Sequence, residues 1–184
     1  ASGASGTHQA AITPLSDGDV IKVWTSNPNG VADSLAMNDT LELAVFTSLT
    51  GAYTVSGQTP DYPDLDSALT DLALRGVCGN VTFNVRPGSY NSQHVLNDFQ
   101  KNAPSDRVII QSENLEADSV EFFYNPMGSM DNYVFRILGD NYTVHALTLR
   151  TEGTSFSVVV DGIDANNLEF THNQVIADTT ATNF

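Results

Sequence analysis

The chain has 184 residues, and its 7 lysines and arginines face 22 aspartates and glutamates, which gives a formal net charge of −15. This balance excludes nucleic acid as a partner and disfavours anionic membranes, because no basic stripe is present to neutralise phosphates. A hydrophobic content of 41% with 9% aromatic residues predicts a folded core. No apolar run reaches the roughly 18 residues that span a bilayer, so we expect no membrane insertion.

Residues 1–11 open with a repeated Ala-Ser-Gly and are typical of a disordered linker or tag. Residues 12–50 predict a β-hairpin. Alternating apolar residues over 19–25 and 40–47 indicate its two strands, and we expect Val20 or Ile21 and Val23 or Trp24 to be partly buried. The turn chemistry of Ser26-Asn27-Pro28-Asn29-Gly30 lies between them.

The loop between these strands is rich in oxygen ligands. Calcium prefers six to eight oxygens from carboxylates, amides and carbonyls. The loop could hold Ca²⁺, although EF-hand spacing is missing and turns favour the same residues for backbone reasons. No cofactor is required by any motif. The candidate ligands are Asn27, Asn29, Asp33, Asn38 and Asp39.

Residues 51–184 predict a second region that begins with a helix over about 64–75. Its apolar residues follow the i, i+3, i+4 spacing of one buried stripe, with Leu65, Ala68, Leu69 and Leu72 facing the core. Gly76 and Gly79 end the helix, and a strand follows at 81–85. Short apolar strands separated by polar turns are predicted at 107–112, 119–124, 133–138, 142–149, 156–160 and 167–176.

Two of these strands align internally. Residues 142–149 match 168–175 at an offset of 26, and the apolar runs ahead of them match at an offset of 24. A repeat of this size predicts stacked units that bury their apolar faces only against one another. We therefore expect parallel pairing, with Val144, Leu147, Leu149, Phe170 and Val175 inside and Arg136, Arg150 and Glu169 outside.

The helix, the strand and the following Arg86-Pro87-Gly88-Ser89-Tyr90 resemble the opening of right-handed parallel β-helix proteins of the pectin-lyase-like superfamily. The resemblance implies an all-β parallel β-helix (solenoid) over 51–184, closed at one end by the helix. Residues 12–50 resemble the last hairpin of an immunoglobulin-like adhesion repeat. Such repeats precede a β-helix in secreted and cell-surface proteins of Bacteroidetes, and the resemblance implies an extracellular or cell-surface location.

An Asp-Ser/Thr motif recurs along the chain and resembles the O-glycosylation signal of secreted Bacteroidetes proteins. Chance in an Asp- and Thr-rich chain is the alternative. The candidate acceptors are Ser34, Thr40, Ser67, Ser119 and Thr179. The lone Cys78 has no partner for an intramolecular disulfide, and we expect it to be a packing residue at the junction after the helix.

Enzymes of the resembled superfamily include polysaccharide lyases and esterases, which need a base, paired carboxylates or a cation site. The outward candidates Arg136, His145, Arg150, Asp161 and Glu169 are scattered along the sequence, so no catalytic residue is assigned. The sequence favours a non-catalytic structural or adhesive module and allows for glycan binding. The expected partners are other protein domains or copies of the chain at the open end of the repeats, or a polysaccharide.

Two alternatives stay open. One is a fragment of a carbohydrate-active enzyme of the lyase or esterase type, with catalytic repeats beyond residue 184. The other is a subunit of a self-assembling extracellular filament.

Overall fold

The structure is a computed structural model that describes residues 14–24, 40–152 and 157–177. Residue contacts divide it into two units, Ala1–Thr47 and Ser48–Phe184. The predicted boundary lay at 50/51.

The described part of the first unit is an antiparallel pair, β1 (Val20–Trp24) and β2 (Thr40–Ala44), with Val20 opposite Ala44 and Trp24 opposite Thr40. The two predicted strands are therefore present. Only Ile21 is half-buried, while Val23 and Trp24 are more than half exposed, so the burial expected at one of those two positions is wrong. Two strands do not bury both faces of a sheet, which is why these apolar side chains stay open. The immunoglobulin-like origin of the hairpin stays a prediction.

The second unit contains one α-helix and twelve strands among its described residues. In chain order they are β3 (Leu49–Val55), α1 (Leu65–Arg75), β4 (Val77–Val85), β5 (Gly88–Asn91), β6 (His94–Leu96), β7 (Val108–Ser112), β8 (Val120–Tyr124), β9 (Phe135–Ile137), β10 (Tyr142–His145), β11 (Thr148–Thr151), β12 (Val160–Gly162), β13 (Glu169–Thr171) and β14 (Gln174–Ile176). A 3₁₀ turn, Ala117–Ser119, precedes β8.

The strands of this unit form three parallel sheets. The first has the order β3-β4-β7-β10-β13, the second β5-β8-β11-β14 and the third β6-β9-β12. From β4 onward the chain visits the sheets in a fixed sequence and adds one strand to each in turn. In every sheet the strands therefore lie side by side in the order in which they occur in the chain.

The predicted repeat and its parallel pairing are confirmed. Thr143 pairs with Glu169 and Thr148 with Gln174, each 26 residues on. In the third sheet Phe135 pairs with Val160, an offset of 25 rather than the predicted 24. Because the register is constant within each sheet, side chains of the same kind lie above one another.

The predicted fold class, an all-β right-handed parallel β-helix, is corrected. The second unit consists of several small parallel sheets, of five, four and three strands, together with one α-helix, an α/β-type arrangement of low helix content. The all-β label fails because α1 contacts β3, β4 and β6 and shares the core of the strands. Apolar periodicity reports that strands recur, but it does not determine how they divide among sheets.

Helix α1 begins and ends where its local chemistry requires. The Asp64 carboxylate accepts a hydrogen bond of 2.8 Å from the Ser67 backbone N–H, which caps the first turn. The Ser67 hydroxyl and this N–H together hold the pKa of Asp64 below its usual range. Gly76 ends the helix at φ +62°, and a Cβ there would lie 2.6 Å from the Gln100 carbonyl oxygen. Leu65, Ala68 and Leu72 are buried as predicted, whereas Leu69 is half-buried and lines the helix edge.

Cys78 is exposed, so its predicted packing role is wrong. It begins the long strand β4, whose inward residues are instead Val77, Val81, Phe83 and Val85. The alternation along β4 places the thiol on the open side.

The corner before β10 depends on one buried amide. Asn141, at φ +64°, donates hydrogen bonds of 2.8 Å and 2.9 Å to the carbonyl oxygens of Pro104 and Asp106. Its Oδ1 accepts from Nδ2 of Asn167, which lies 26 residues on and also has a positive φ. The corner is therefore stacked from repeat to repeat by an asparagine ladder.

We expect Leu72→Ala to lower the free energy of unfolding by about 2–5 kcal/mol, because the side chain is fully buried and its removal leaves a cavity. The matched control is Leu74→Ala on the same helix, where the side chain is 59% exposed. It should change stability by no more than about 0.5 kcal/mol. Chemical denaturation measures both, and equal effects would refute the packing of α1 on the core.

We expect Asn141→Gly to cost about 1–3 kcal/mol, because two buried carbonyl groups lose their donor while the positive φ remains tolerated. Asn141→Ala should cost more, since it adds backbone strain to the same loss. Thermal unfolding of the two variants compares them. If the alanine variant were as stable as the wild type, the ladder would have no structural role.

Candidate functional site

The outward faces of the sheets carry charge ladders that run across neighbouring strands. Arg136 on β9 donates to Asp161 on β12 at 2.8 Å, and Arg150 on β11 donates to Glu121 on β8 at 2.7 Å. Arg107 lies 3.3 Å from Glu169 on β13. Each pair joins one repeat to a later or earlier one.

All seven lysines and arginines of the chain are paired with carboxylates, although Arg75–Asp71 and Lys101–Asp98 are local pairs within one segment. Each has a carboxylate within 4 Å, and all seven lie in described residues. Arg150 contacts both Glu121 and Glu152, which raises the pKa of its guanidinium. The same contact holds the pKa of Glu121 below its usual range. The cations therefore neutralise carboxylates of the chain itself.

The outward residues considered as catalytic candidates are not brought into one cluster. Arg136 and Asp161 lie on the third sheet, Arg150 on the second, and His145 and Glu169 on the first. Only Arg136 and Asp161 meet, and they meet as an ion pair.

His145 and His172 stack at the corner between the first and second sheets. Their ring centroids are 5.0 Å apart, and Nδ1 of His145 lies 2.7 Å from the Thr171 hydroxyl. Within the described residues, no three His, Cys, Asp or Glu side chains are grouped closely enough to hold a metal ion. The two rings therefore contact each other edge to face across neighbouring repeats.

Sequence reasoning missed a chain of hydrogen bonds that links α1 to the buried His94 and involves an exposed carboxylate and a half-buried hydroxyl. Nδ1 of His94 lies 2.7 Å from the Asp66 carboxylate, and its Nε2 lies 2.8 Å from the Ser92 hydroxyl. This is the order of atoms found in Ser-His-Asp hydrolases. Asp66 comes from α1, and the other two come from the corner before β6, so no linear motif announces the contact.

The direction of the imidazole argues for a structural role. His94 is 3% exposed, and its ring packs edge-on against Phe122 and Phe135 at 5.0 Å and 5.6 Å, both of which belong to the core. The ring thus points into the protein rather than toward a cleft, and its bonds fasten α1 to β6. Burial lowers the pKa of His94, although Asp66 opposes the shift.

The exposed end of the three sheets is the strongest candidate for a binding surface. We call it the end face, and it consists of β12, β13 and β14, the last described strand of each sheet. It surrounds an open depression of about 470 Å³. The depression is lined by Ser157, Val159, Val160, Phe170, Val175 and Ala177.

Apolar ladders that are buried in the middle strands of the sheets become exposed at the end face. Phe83, Ile110 and Val144 lie in register and are each 0% exposed, while the next member, Phe170, is 40% exposed. In the second sheet Leu149 is 0% exposed and its partner Val175 is 57% exposed. The predicted burial of Phe170 and Val175 is therefore wrong, because no later strand covers them among the described residues.

A polar atom also lacks a partner at this surface. Ser157 is 4% exposed, and its hydroxyl has no hydrogen-bond partner among the described residues. The residue lines the depression, but its hydroxyl oxygen is buried there.

The predicted calcium loop lies outside the described residues, since Asn27, Asn29, Asp33, Asn38 and Asp39 all fall within 25–39. Ca²⁺ binding there stays a prediction. Among the glycosylation candidates, Ser34 and Thr179 also lie outside them, Thr40 is exposed and Ser67 is half-buried. The Ser119 hydroxyl is bonded to Ser112 and to the Glu116 carbonyl oxygen.

The comparisons with known proteins returned no match to the chain, whether among family models, curated proteins or solved structures. In the described residues, no helix has the length and hydrophobicity needed to cross a membrane.

We expect acidification from about pH 7.5 to 5 to destabilise the protein through His94. Its pKa is lower in the folded state than in the unfolded chain, where it is about 6.5, so unfolding takes up a proton below that pH. Stability is complete above the unfolded value and declines as the pH falls toward the folded value. The groups facing the ring are Asp64 and Asp66 on the helix side, Ser92, and the phenyl rings of Phe122 and Phe135.

Melting temperatures of the wild type and His94→Gln across this range measure the effect. The variant should be less stable at pH 7.5 and show a flatter decline. His145→Gln serves as the control, because that ring lies at an exposed contact and the slope should stay unchanged. A wild-type slope retained in His94→Gln would assign the pH dependence to other groups.

Proposed function

We propose that the chain is a non-catalytic structural or adhesive module of a secreted or cell-surface protein. The observation that carries this proposal is the pairing of all seven cations with carboxylates of the same chain. A site for an acidic polysaccharide needs a free cation or a bound metal ion to oppose the substrate charge. The ladders instead connect successive strands, which supports a load-bearing or spacing role.

The ionisation of the outward carboxyl groups also supports a non-catalytic module. A glycosidase needs one carboxyl group with a raised pKa as its general acid. Glu121 is held in its ionised form by Arg150, and Asp98 by Lys101. Asp161 and Glu169, the two candidate acids on the outward face, are paired with Arg136 and Arg107.

The surroundings of α1 argue against the filament alternative. End-to-end assembly of identical units requires the start of the sheets to be open to the end face of the next copy. Helix α1 packs on β3, β4 and β6 at that start and buries three of its own side chains there. A second copy would have to displace it.

The acidic composition and the exposed Thr40, which follows Asp39, favour an extracellular location. A large net negative charge keeps a protein soluble and opposes its self-association. Glycan mass on Thr40, measured by intact-mass analysis of protein purified from its natural source, would support export.

The direct test is a panel of pectins, alginates and other acidic glycans, with and without Ca²⁺, assayed for unsaturated or reducing-end sugars and for released esters. We expect no turnover above a heat-denatured control. Turnover that disappears in any one of the variants Arg136→Ala, His145→Ala, Arg150→Ala or Asp161→Ala, but persists in Lys22→Ala, would overturn the proposal in favour of an enzyme.

A further inference from the structure

We propose that His145 and His172 form a two-imidazole site for a divalent transition-metal ion of the Cu²⁺, Ni²⁺ and Zn²⁺ group. His145 follows the buried Val144 on β10, so its ring lies on the outward side of the first sheet. A strand added beside β13 would cover the edge of that sheet and leave its outward side open. The inference goes beyond the proposed structural function and does not rest on it.

The backbone holds both histidines in place before any ion binds. His145 pairs with Thr171 in the parallel ladder of β10 and β13. Immediately after His172, the side-chain amide of Asn173 donates to the Val144 carbonyl oxygen at 2.8 Å. Its Oδ1 accepts from a backbone N–H just before β11 at 2.9 Å. Bonds between the two repeats therefore flank His172 on both sides, which fixes the points from which the two side chains extend.

The separation of the rings fits chelation by two imidazoles. A metal ion bound to an imidazole nitrogen at about 2.0–2.1 Å lies roughly 3.2 Å from the centroid of that ring. Two centroids 5.0 Å apart therefore subtend about 100° at a shared ion, between roughly 90° for a square plane and roughly 109° for a tetrahedron. The planes of the rings are 69° apart, and rotation about χ2 of the exposed His172 turns its nitrogen toward the ion.

The Thr171 hydroxyl orients the His145 ring. Nδ1 of His145 lies 2.7 Å from its oxygen. In the tautomer whose Nδ1–H donates to that oxygen, Nε2 keeps the lone pair that a metal ion takes. A hydrogen bond from the second ring nitrogen to a fixed acceptor is the usual support of a histidine that binds metal. The contact therefore leaves one nitrogen of His145 prepared for an ion.

The backbone of the corner does not account for the imidazole of His172. His172 has φ +58°, and Ala146, which occupies the same corner 26 residues earlier, has φ +52°. The left-handed region favours glycine or asparagine, and an imidazole gains nothing from it. What distinguishes His172 is its contact with His145. Because His145 is half-buried and His172 is exposed, an ion reaches both rings from solvent.

The charge of the protein attracts a cation, and the donor atoms select which one. The formal net charge is −15, and all seven lysines and arginines are already paired with carboxylates. Among the described residues, no group of three His, Cys, Asp or Glu side chains includes the pair, so water completes the coordination shell. Imidazole suits Cu²⁺, Ni²⁺ and Zn²⁺, whereas Ca²⁺ and Mg²⁺ prefer oxygen ligands.

A bound ion joins two repeats through side chains. It links β10 to β13 outside the main-chain ladder that already pairs them. An ion that binds the folded chain stabilises it by mass action, so the melting temperature should rise with the concentration of the ion.

The test titrates the full chain with Cu²⁺, which forms the strongest complexes of these ions with nitrogen ligands. Electron paramagnetic resonance counts the nitrogen atoms in the equatorial plane of the ion through their hyperfine splitting. We expect one ion with two equatorial nitrogens. Excess Ni²⁺ should compete for the site, whereas the same excess of Ca²⁺ should not. Zn²⁺, which is diamagnetic, should shift the ring resonances of His145 and His172 in the wild type.

Variants of the protein assign the ligands. His145→Gln and His172→Gln should each weaken Cu²⁺ binding at least about a hundredfold, the upper end of what loss of an outer-shell partner costs, and leave one equatorial nitrogen. Thr171→Val removes the hydroxyl that orients His145, so it should weaken binding by about 10–100-fold with both nitrogens retained. His8→Gln and Cys78→Ser are the controls, because they remove a histidine and an exposed thiol that are not part of the pair. Both should bind Cu²⁺ like the wild type.

Three results would overturn the inference. They are fewer than two equatorial nitrogens in the wild type, an unchanged affinity in His145→Gln or His172→Gln, and loss of binding in either control. Melting curves without metal show whether the variants are folded. If one is not, the Zn²⁺ experiment on the wild type decides, and ring resonances of His145 and His172 that do not shift would refute the site. The glycan assay tests the proposed function separately, since it does not depend on this ion.

Discussion

The fold depends on in-register parallel pairing that places each inward side chain on the one beneath it. Ile110 lies on Phe83, Val144 on Ile110 and Phe170 on Val144, because the chain returns to the same sheet with a constant register. No single repeat buries its own apolar residues, so the stability of each strand comes from its neighbours. Among the described residues, β12, β13 and β14 each have a neighbour on one side only, and they form the end face.

The same register determines which charged side chains meet on the outward faces of the sheets. Opposite charges meet across strands because residues of one repeat lie beside those of the next, as Arg150 lies beside Glu121. Pairs of this kind are half-buried and bonded at normal lengths, and they specify which strands meet more than they add stability. An acidic chain with few cations thus pairs every one of them with one of its own carboxylates.

The contact of Ser92, His94 and Asp66 shows that hydrogen-bond distances must be judged together with the direction in which the imidazole ring points. The distances match those of a hydrolase triad, yet the imidazole lies between Phe122 and Phe135 of the core. A neutral histidine satisfies one donor and one acceptor at this place, so the buried ring is bonded to a helix carboxylate that is itself exposed. The network closes the end of the sheets that α1 covers.

Local patterns in the sequence were sufficient for the helix over Leu65–Arg75, for the stop at Gly76 and for the 26-residue repeat with parallel pairing, because these follow from apolar spacing and backbone preference. They were not sufficient for the fold class, for the exposure of Phe170, Val175 and Cys78, or for the bond between Asp66 and His94. Each of these depends on which strand lies next to which, and on whether another strand follows. Periodicity determines which side of a strand is apolar, but only the tertiary arrangement decides whether that side is covered.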